Sequence, residues 1–302
     1  MNKTIWIYWE NKYSSQMPGY ISLCKDTILK HKGDWDLVEL NPENVNDYVS
    51  GLRSDFSDIP EVAHKADYIR AAVLAQNGGM WMDVDTIVFR PLSMITDLIE
   101  KSGALFYGWQ PNQPSIGLVA SVPGHPLIQK WLEGADRVLD GDLKQKWAGI
   151  GYDILWPLAE KIDYVQMDRE ICAPIHYTET DLLLEPGRPA DILHKRTLLI
   201  QLYNKMLFPK FGKASRDEVM ESNTRLSKLF KRALSEDPHW ERVSRKMSAD
   251  PSPADKAFGS AAAQDLDPVS VYVDEAMRRV YKSKNPLLKR ASRKLQRTLG
   301  RK

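Results

Sequence analysis

The sequence predicts an α/β fold: a mostly parallel sheet flanked by helices on both faces, followed by a C-terminal helical extension. Two observations carry this reading. Short apolar, strand-like runs alternate with segments of helical period over roughly the first 210 residues. Two aspartates, Asp83 and Asp85, directly follow one of the apolar runs. In sheets of this kind ligands bind beyond the carboxyl ends of the strands, so the pair stands where a site is expected.

The elements follow in order. Residues 5–9 form an aromatic and apolar run suited to a buried first strand. Residues 17–31 place Tyr20, Ile21, Cys24, Ile28 and Leu29 at helical spacing and end in a polar, Gly-containing turn. Residues 35–40 alternate like a second strand, and a polar loop leads to a helix from about Pro60 to Asn77. Gly78 and Gly79 suit a helix C-cap that needs positive φ. Residues 80–89 read as strand, turn, strand. Residues 105–109 and 116–121 read as strands, 125–140 and 150–162 as helices, and 165–172 and 198–202 as short strands. The predicted organisation is a catalytic domain over 1–212, a helical extension over 213–246, a linker rich in Ala, Ser, Pro and Asp over 247–270, and a basic tail over 271–302.

Composition narrows the setting. With 43% hydrophobic and 27% charged residues the chain reads as globular. It has no run of about 18 apolar residues that would predict a transmembrane helix, and its start lacks the apolar stretch of a signal peptide. Cys24 and Cys172 lie far apart without metal-ligand spacing and are expected to be free thiols of a cytoplasmic protein. The net charge of +2 is unevenly spread. Between Arg278 and Lys302 there are eleven Lys and Arg and no acid, which leaves 31 basic against 40 acidic residues in the remainder. Within the tail Leu288, Ala291, Leu295 and Leu299 share one helical face, a pattern suited to lying on the anionic inner face of a membrane. Nucleic acid is a poor partner for a chain whose remainder is acidic.

The chemistry concentrates in residues 64–90. Carboxylates at i and i+2 of an extended backbone point the same way and make an oxygen-only half-site for Mn²⁺ or Mg²⁺, open to phosphate oxygens. Asp67 and Arg70 lie three apart on one helix face, joined to the aspartates through the Gly-Gly turn. Arg suits a phosphate or carboxylate, and Asp can accept from sugar hydroxyls.

The segments 5–24, 63–89 and 123–128, and above all the pattern A-D-Y-I-R-x(7)-G-G-x-W-x-D-x-D over 66–85, resemble the capsular polysaccharide synthesis glycosyltransferases. These belong with the wider D-x-D sugar transferases that include yeast mannosyltransferases and the glucosylating clostridial toxins. The resemblance covers about residues 1–205. It implies a GT-A, Rossmann-like domain, a divalent metal, a UDP- or GDP-sugar donor, a saccharide or lipid-linked saccharide acceptor of a bacterial capsule, exopolysaccharide or lipopolysaccharide pathway, and retention at the anomeric carbon. Carried onto this sequence, it assigns Asp83 and Asp85 to the metal and places Asp67 and Arg70 on the donor's sugar and ribose–phosphate region. Trp9, with Tyr8 beside it, falls at the nucleotide base and Trp81 beside the donor sugar. Gln201 stands where relatives carry a metal-binding His, so either its carbonyl oxygen completes the site or His194 or a water does. Pro114 and Ser115 stand where relatives tend to have Asn.

Two other readings are weighed. Asp83-Val84-Asp85-Thr86-Ile87 also fits the first motif of a haloacid-dehalogenase-type phosphatase, with Asp136 and Asp140 as its last. Those two acids, however, fall in a helical pattern, where an end-of-strand motif is out of place. The other is a non-catalytic binding module.

Overall fold

The computed structural model describes residues 1–11, 16–141 and 149–236. The expected linker and basic tail lie outside them. Among the described residues eight strands and eleven α-helices follow one another as β1 (Thr4–Tyr8), α1 (Gly19–His31), β2 (Asp36–Leu40), α2 (Val45–Tyr48), α3 (Val62–Asn77), β3 (Gly79–Met82), β4 (Thr86–Val88), α4 (Thr96–Ser102), β5 (Ala104–Gln110), β6 (Gln113–Ser121), α5 (Pro126–Leu139), α6 (Tyr152–Ala159), β7 (Val165–Asp168), α7 (Arg169–Cys172), α8 (Asp181–Leu184), β8 (Leu199–Gln201), α9 (Asn204–Phe211), α10 (Arg216–Glu221) and α11 (Arg225–Leu234). No helix among the described residues is long and apolar enough to cross a membrane.

Six strands form the central sheet in the order β2-β1-β3-β6-β5-β7. Strands β1 and β2, β1 and β3, and β5 and β7 pair parallel, while β6 runs antiparallel to both β3 and β5. Five strands therefore point one way, as the α/β reading expects. The period-2 alternation of each strand divides two cores. Ile5, Ile7, Met80, Met82, Leu105 and Tyr107 face α1, α4 and α11. Trp6, Tyr8, Trp81, Ala104 and Phe106 face α3, α5 and α6.

Residues 80–89 hold the expected strand–turn–strand, but its two strands belong to different sheets. Strand β3 lies in the central sheet, whereas β4 pairs antiparallel with β8 in a separate two-stranded sheet. Residues 165–172 are also not one strand. Buried Val165 and Met167 end at exposed Asp168, which occupies the N-cap of the one-turn helix α7.

Helices α10 and α11, within the expected extension, share the core of the sheet. Gly19 at the start of α1 donates its N–H to the Ala214 carbonyl at 3.2 Å. Leu226, Leu229, Phe230 and Ala233, at helical spacing, are buried with Ile5 and Ile28 in one cluster.

The helix-to-strand corner at Gly78-Gly79 fixes α3 on the sheet. Gly78 caps α3 at φ 64°, its N–H donating to the Leu74 carbonyl at 3.0 Å, and its own carbonyl receives the Trp6 indole N–H at 2.8 Å. Gly79 has φ 96°, and a Cβ there would lie 2.6 Å from the Thr4 carbonyl oxygen. Both the dihedral and the close approach demand glycine. Gly79→Ala is expected to lower stability by more than ~1 kcal/mol, read as a fall in the urea midpoint at unchanged slope.

Candidate functional site

The side-chain alternation of β3 continues into the turn, so Asp83 emerges on the same side as Trp81, the side covered by α3. Arg70 on α3 meets it there. Its Nη2 donates to Asp83 Oδ1 at 2.6 Å, and its guanidinium lies 4.9 Å from the centre of the Trp81 ring. Trp81 donates its own indole N–H to the same oxygen at 2.9 Å. Asp67, one turn back on α3, stands 3.2 Å from Arg70 Nη1, near enough for charge pairing but outside hydrogen-bond alignment. Asp83 keeps a third of its side chain open.

Asp85 is gripped from the second sheet. Its carbonyl accepts from Leu202 N–H at 2.9 Å and its Oδ2 from Asn204 N–H at 2.5 Å. Asn204 in turn accepts from the Tyr20 hydroxyl of α1. Thr86 donates to the Asp83 carbonyl at 2.6 Å and closes the turn. Between Leu202 and Asn204, Tyr203 sits in the left-handed region at φ 55°. Such a conformation is uncommon for a bulky residue and persists only where its surroundings enforce it. Here the two flanking bonds to Asp85 do so.

Electrostatics follow from this packing. Burial pushes the Asp67 carboxyl up to about 6 against the opposing pull of Arg70. Burial, then the charge of Asp83, pushes Asp85 up to about 6 as well. Two carboxylates crowded in this way suit a hard divalent cation, which would relieve their mutual repulsion. No group of three or more His, Cys, Asp or Glu with metal-binding geometry occurs among the described residues.

The sequence-derived residues divide by accessibility. Arg70, expected on the donor phosphates, is only 3% exposed and reaches the site through Asp83. Trp81, expected beside the donor sugar, is 1% exposed and serves as the floor beneath Arg70. Both fall behind the turn because β3 is an interior strand with helices over that face. Tyr8 is buried and donates its hydroxyl to Glu10 at 2.8 Å, while the neighbouring Trp9 stays half-buried with its N–H on Asn11. Gln201 pairs with Thr86 across β4 and β8. Its carbonyl oxygen already accepts from the Tyr107 hydroxyl at 2.5 Å, and its amide fills the space where Gly117 lacks a Cβ. His194 is exposed on the turn that precedes β8, at the opposite end of that strand from Gln201, so it does not stand in for a ligand at Asp85. Asp136 and Asp140 lie at the C-terminal end of α5, on Arg53 at 3.4 and 2.9 Å, which places the second phosphatase motif on a helix surface.

Sequence reasoning missed Tyr107, Tyr152 and Tyr203. Tyr152 is close enough to Asp67, Arg70 and Asp83 for their charges to act on its hydroxyl. Its approach to Ser115, 3.5 Å between hydroxyls, joins residues far apart in the chain, so no local pattern signals it.

Residues 1–116 match the sequence model described as capsular polysaccharide synthesis protein. The match to these capsular polysaccharide synthesis proteins takes in Trp9, α3, the Asp83–Asp85 turn and β5, and ends before β7 and β8. A curated relative, the O-glycosyltransferase braB of Annulohypoxylon truncatum, is 26% identical over 46% of this chain and 38% of its own length. The chain thus spans well under half of that relative. Among solved structures, PaToxG glycosyltransferase is similar over 78% of this chain and 88% of its own, with 17% identity and a TM-score of 0.37. The apo form of the glycosyltransferase GlyE from Streptococcus pneumoniae TIGR4 is similar over 88% and 66%, with 12% identity and a TM-score of 0.45.

The raised Asp67 carboxyl has a stability consequence of definite sign. Its folded value of about 6 lies above the unfolded value near 3.9, so the folded state takes up a proton between those limits and loses stability as pH rises through 6. Wild type minus Asp67→Asn should show a difference in unfolding free energy that declines by ~1–3 kcal/mol from pH 4 to pH 7. Urea unfolding across that range measures it, and a flat difference would show that Asp67 titrates normally.

Proposed function

We propose that this chain is a metal-dependent glycosyltransferase that moves a sugar from a UDP- or GDP-sugar to a saccharide acceptor in bacterial capsule, exopolysaccharide or lipopolysaccharide synthesis. The observation that carries the reading is the Asp83–Asp85 turn. Two carboxylates stand together at the carboxyl edge of a mostly parallel sheet, one braced by Arg70 and Trp81 and the other by Asn204. The match over residues 1–116 adds to it.

In this reading Asp83 and Asp85 would hold Mn²⁺ or Mg²⁺, which when bound would supply charge neutralisation at the leaving diphosphate. Arg70 and Trp81 fix the rotamer of Asp83, and Asp67 helps balance the buried guanidinium. Trp9, half-open at the end of β1, is the surface for the nucleotide base. An acceptor hydroxyl oxygen bonds to the anomeric carbon as the carbon–oxygen bond to phosphate breaks. The nucleoside diphosphate departs with the bonding electrons, and a phosphate oxygen takes the hydroxyl proton. Retention of configuration follows the family resemblance. The eleven basic residues between Arg278 and Lys302, interspersed in sequence with Leu288, Ala291, Leu295 and Leu299 at helical spacing, support attachment to an anionic membrane surface where a lipid-linked acceptor would lie.

Nucleotide release from a panel of UDP- and GDP-sugars tests the reading. Turnover should require Mn²⁺ or Mg²⁺ and stop with EDTA, and Asp85→Asn or Asp83→Asn should each cost at least ~10²-fold. Arg70→Lys should fall nearly as far as Arg70→Ala, because one ammonium cannot hold Asp83 and lie flat on Trp81 at once. As Arg70 acts through Asp83, both variants should also weaken Mn²⁺ binding, measured by electron paramagnetic resonance. Full turnover after EDTA treatment would overturn the metal assignment. Hydrolysis of p-nitrophenyl phosphate without sugar-nucleotide turnover would favour the phosphatase instead.

A further inference from the structure

The carboxyl edge of the sheet continues beyond the aspartates. In the order β2-β1-β3-β6-β5-β7, β5 and β7 run in the direction of β3 and lie on its far side from β1. Trp9 follows β1, Asp83 follows β3, Trp109 lies at the end of β5, and Arg169 directly follows β7. The proposed nucleotide side and the β5–β7 side thus flank the aspartates.

A run of rings crosses that second side. Tyr203, held between the two residues that bond Asp85, has its ring centre 6.4 Å from that of Tyr177. Tyr177 lies 4.1 Å from His176, and His176 meets Trp109 edge-on at 4.8 Å. The Arg169 guanidinium lies 4.2 Å from the Trp109 ring centre. His176 and Tyr203 are held in place. The His176 N–H donates to Glu179 at 2.8 Å, and the Tyr203 hydroxyl donates to the Ile175 carbonyl at 3.2 Å. Yet Trp109 is 36% and Tyr177 52% exposed, a large rigid aromatic surface left open beside the candidate metal turn.

We infer that Trp109, Arg169 and Tyr177 form the acceptor subsite, and that it takes a saccharide carrying an acidic group; this rests on the glycosyltransferase reading above. Rigid aromatic side chains offer contact area to the apolar faces of a sugar ring at small entropic cost. The charge of Arg169 decides the class. The acids on either side of it in sequence, Asp168 and Glu170, pair with Arg196 at 3.8 and 3.2 Å. Among the described residues no carboxylate lies within ion-pair distance of Arg169. Its guanidinium, stacked on Trp109, is left to meet a carboxylate or phosphate on the ligand with its planar donors.

The test is binding of the full-length protein to an immobilised panel of neutral, uronic-acid-bearing and phosphorylated oligosaccharides, with calorimetry of UDP and GDP in Mn²⁺ on the same samples. Wild type should capture acidic oligosaccharides over neutral ones, and the uronate and phosphate arms identify which anion is read. Trp109→Ala and Tyr177→Ala should each reduce capture at least ~10-fold, from the loss of an anchoring aromatic. Arg169→Gln should abolish the acidic preference, and Arg169→Lys should restore part of it. Capture of no oligosaccharide, a preference for neutral ones, or capture unchanged in the variants would overturn the subsite. Capture that persists in a wild type unable to bind either nucleotide would leave the subsite standing and sink the glycosyltransferase reading.

Discussion

The candidate site depends on one buried ion pair. Arg70 brings a full charge into the interior between α3 and the sheet, and a guanidinium there is tolerable only if it is paired and packed. Asp83 supplies the pairing, Asp67 adds charge, and Trp81 supplies a π face on which the planar group can lie. Removing one partner of such a pair typically costs ~3–5 kcal/mol, because the other charge stays buried and uncompensated. The pair also sets direction, since Asp83 cannot leave the mouth of the sheet while Arg70 and Trp81 share its oxygen. Arg70 itself needs α3 in register with β3, which the glycine corner secures.

A second constraint acts on Asp85. Because β4 leaves the central sheet to pair with β8, the chain bends between the two aspartates, and each is held by a different layer of the molecule. Asp83 belongs to α3 and β3, and Asp85 to α1 and the β8–α9 junction through Tyr20 and Asn204. A motion of one layer against the other would change the separation of the carboxylates. The brace of Tyr107 on Gln201, packed over Gly117, ties β8 back to β5 and β6 and opposes that motion. The same bond fixes the orientation of the Gln201 carboxamide. In the sequence, the eleven Lys and Arg between Arg278 and Lys302 contrast with the net acidic remainder of the chain.

Much of this was legible in sequence because it rests on short-range periodicity. Period-2 apolar runs and 3.6-period helices gave most elements, and the positive-φ demand of a helix C-cap marked Gly78 and Gly79. The spacing of Asp67, Arg70, Trp81, Asp83 and Asp85 declared a helix, a corner and a turn that share one rim. The identity of these side chains, including which could pair with which, is a property of the string. What the string could not give is depth. Arg70 and Trp81 have the chemistry of ligand-facing residues, but they lie behind Asp83 because β3 is an interior strand covered by α3, and burial depends on neighbours distant in sequence. The same holds for the division of residues 80–89 between two sheets, which β8, more than a hundred residues later, decides by pairing with β4. It holds too for the rings of Trp109, His176, Tyr177 and Tyr203, which converge only when β5, β7 and the β8–α9 junction reach one edge. Local sequence determined the secondary elements and the chemical groups at hand; long-range packing decided which of those groups face a ligand and which hold the others in place.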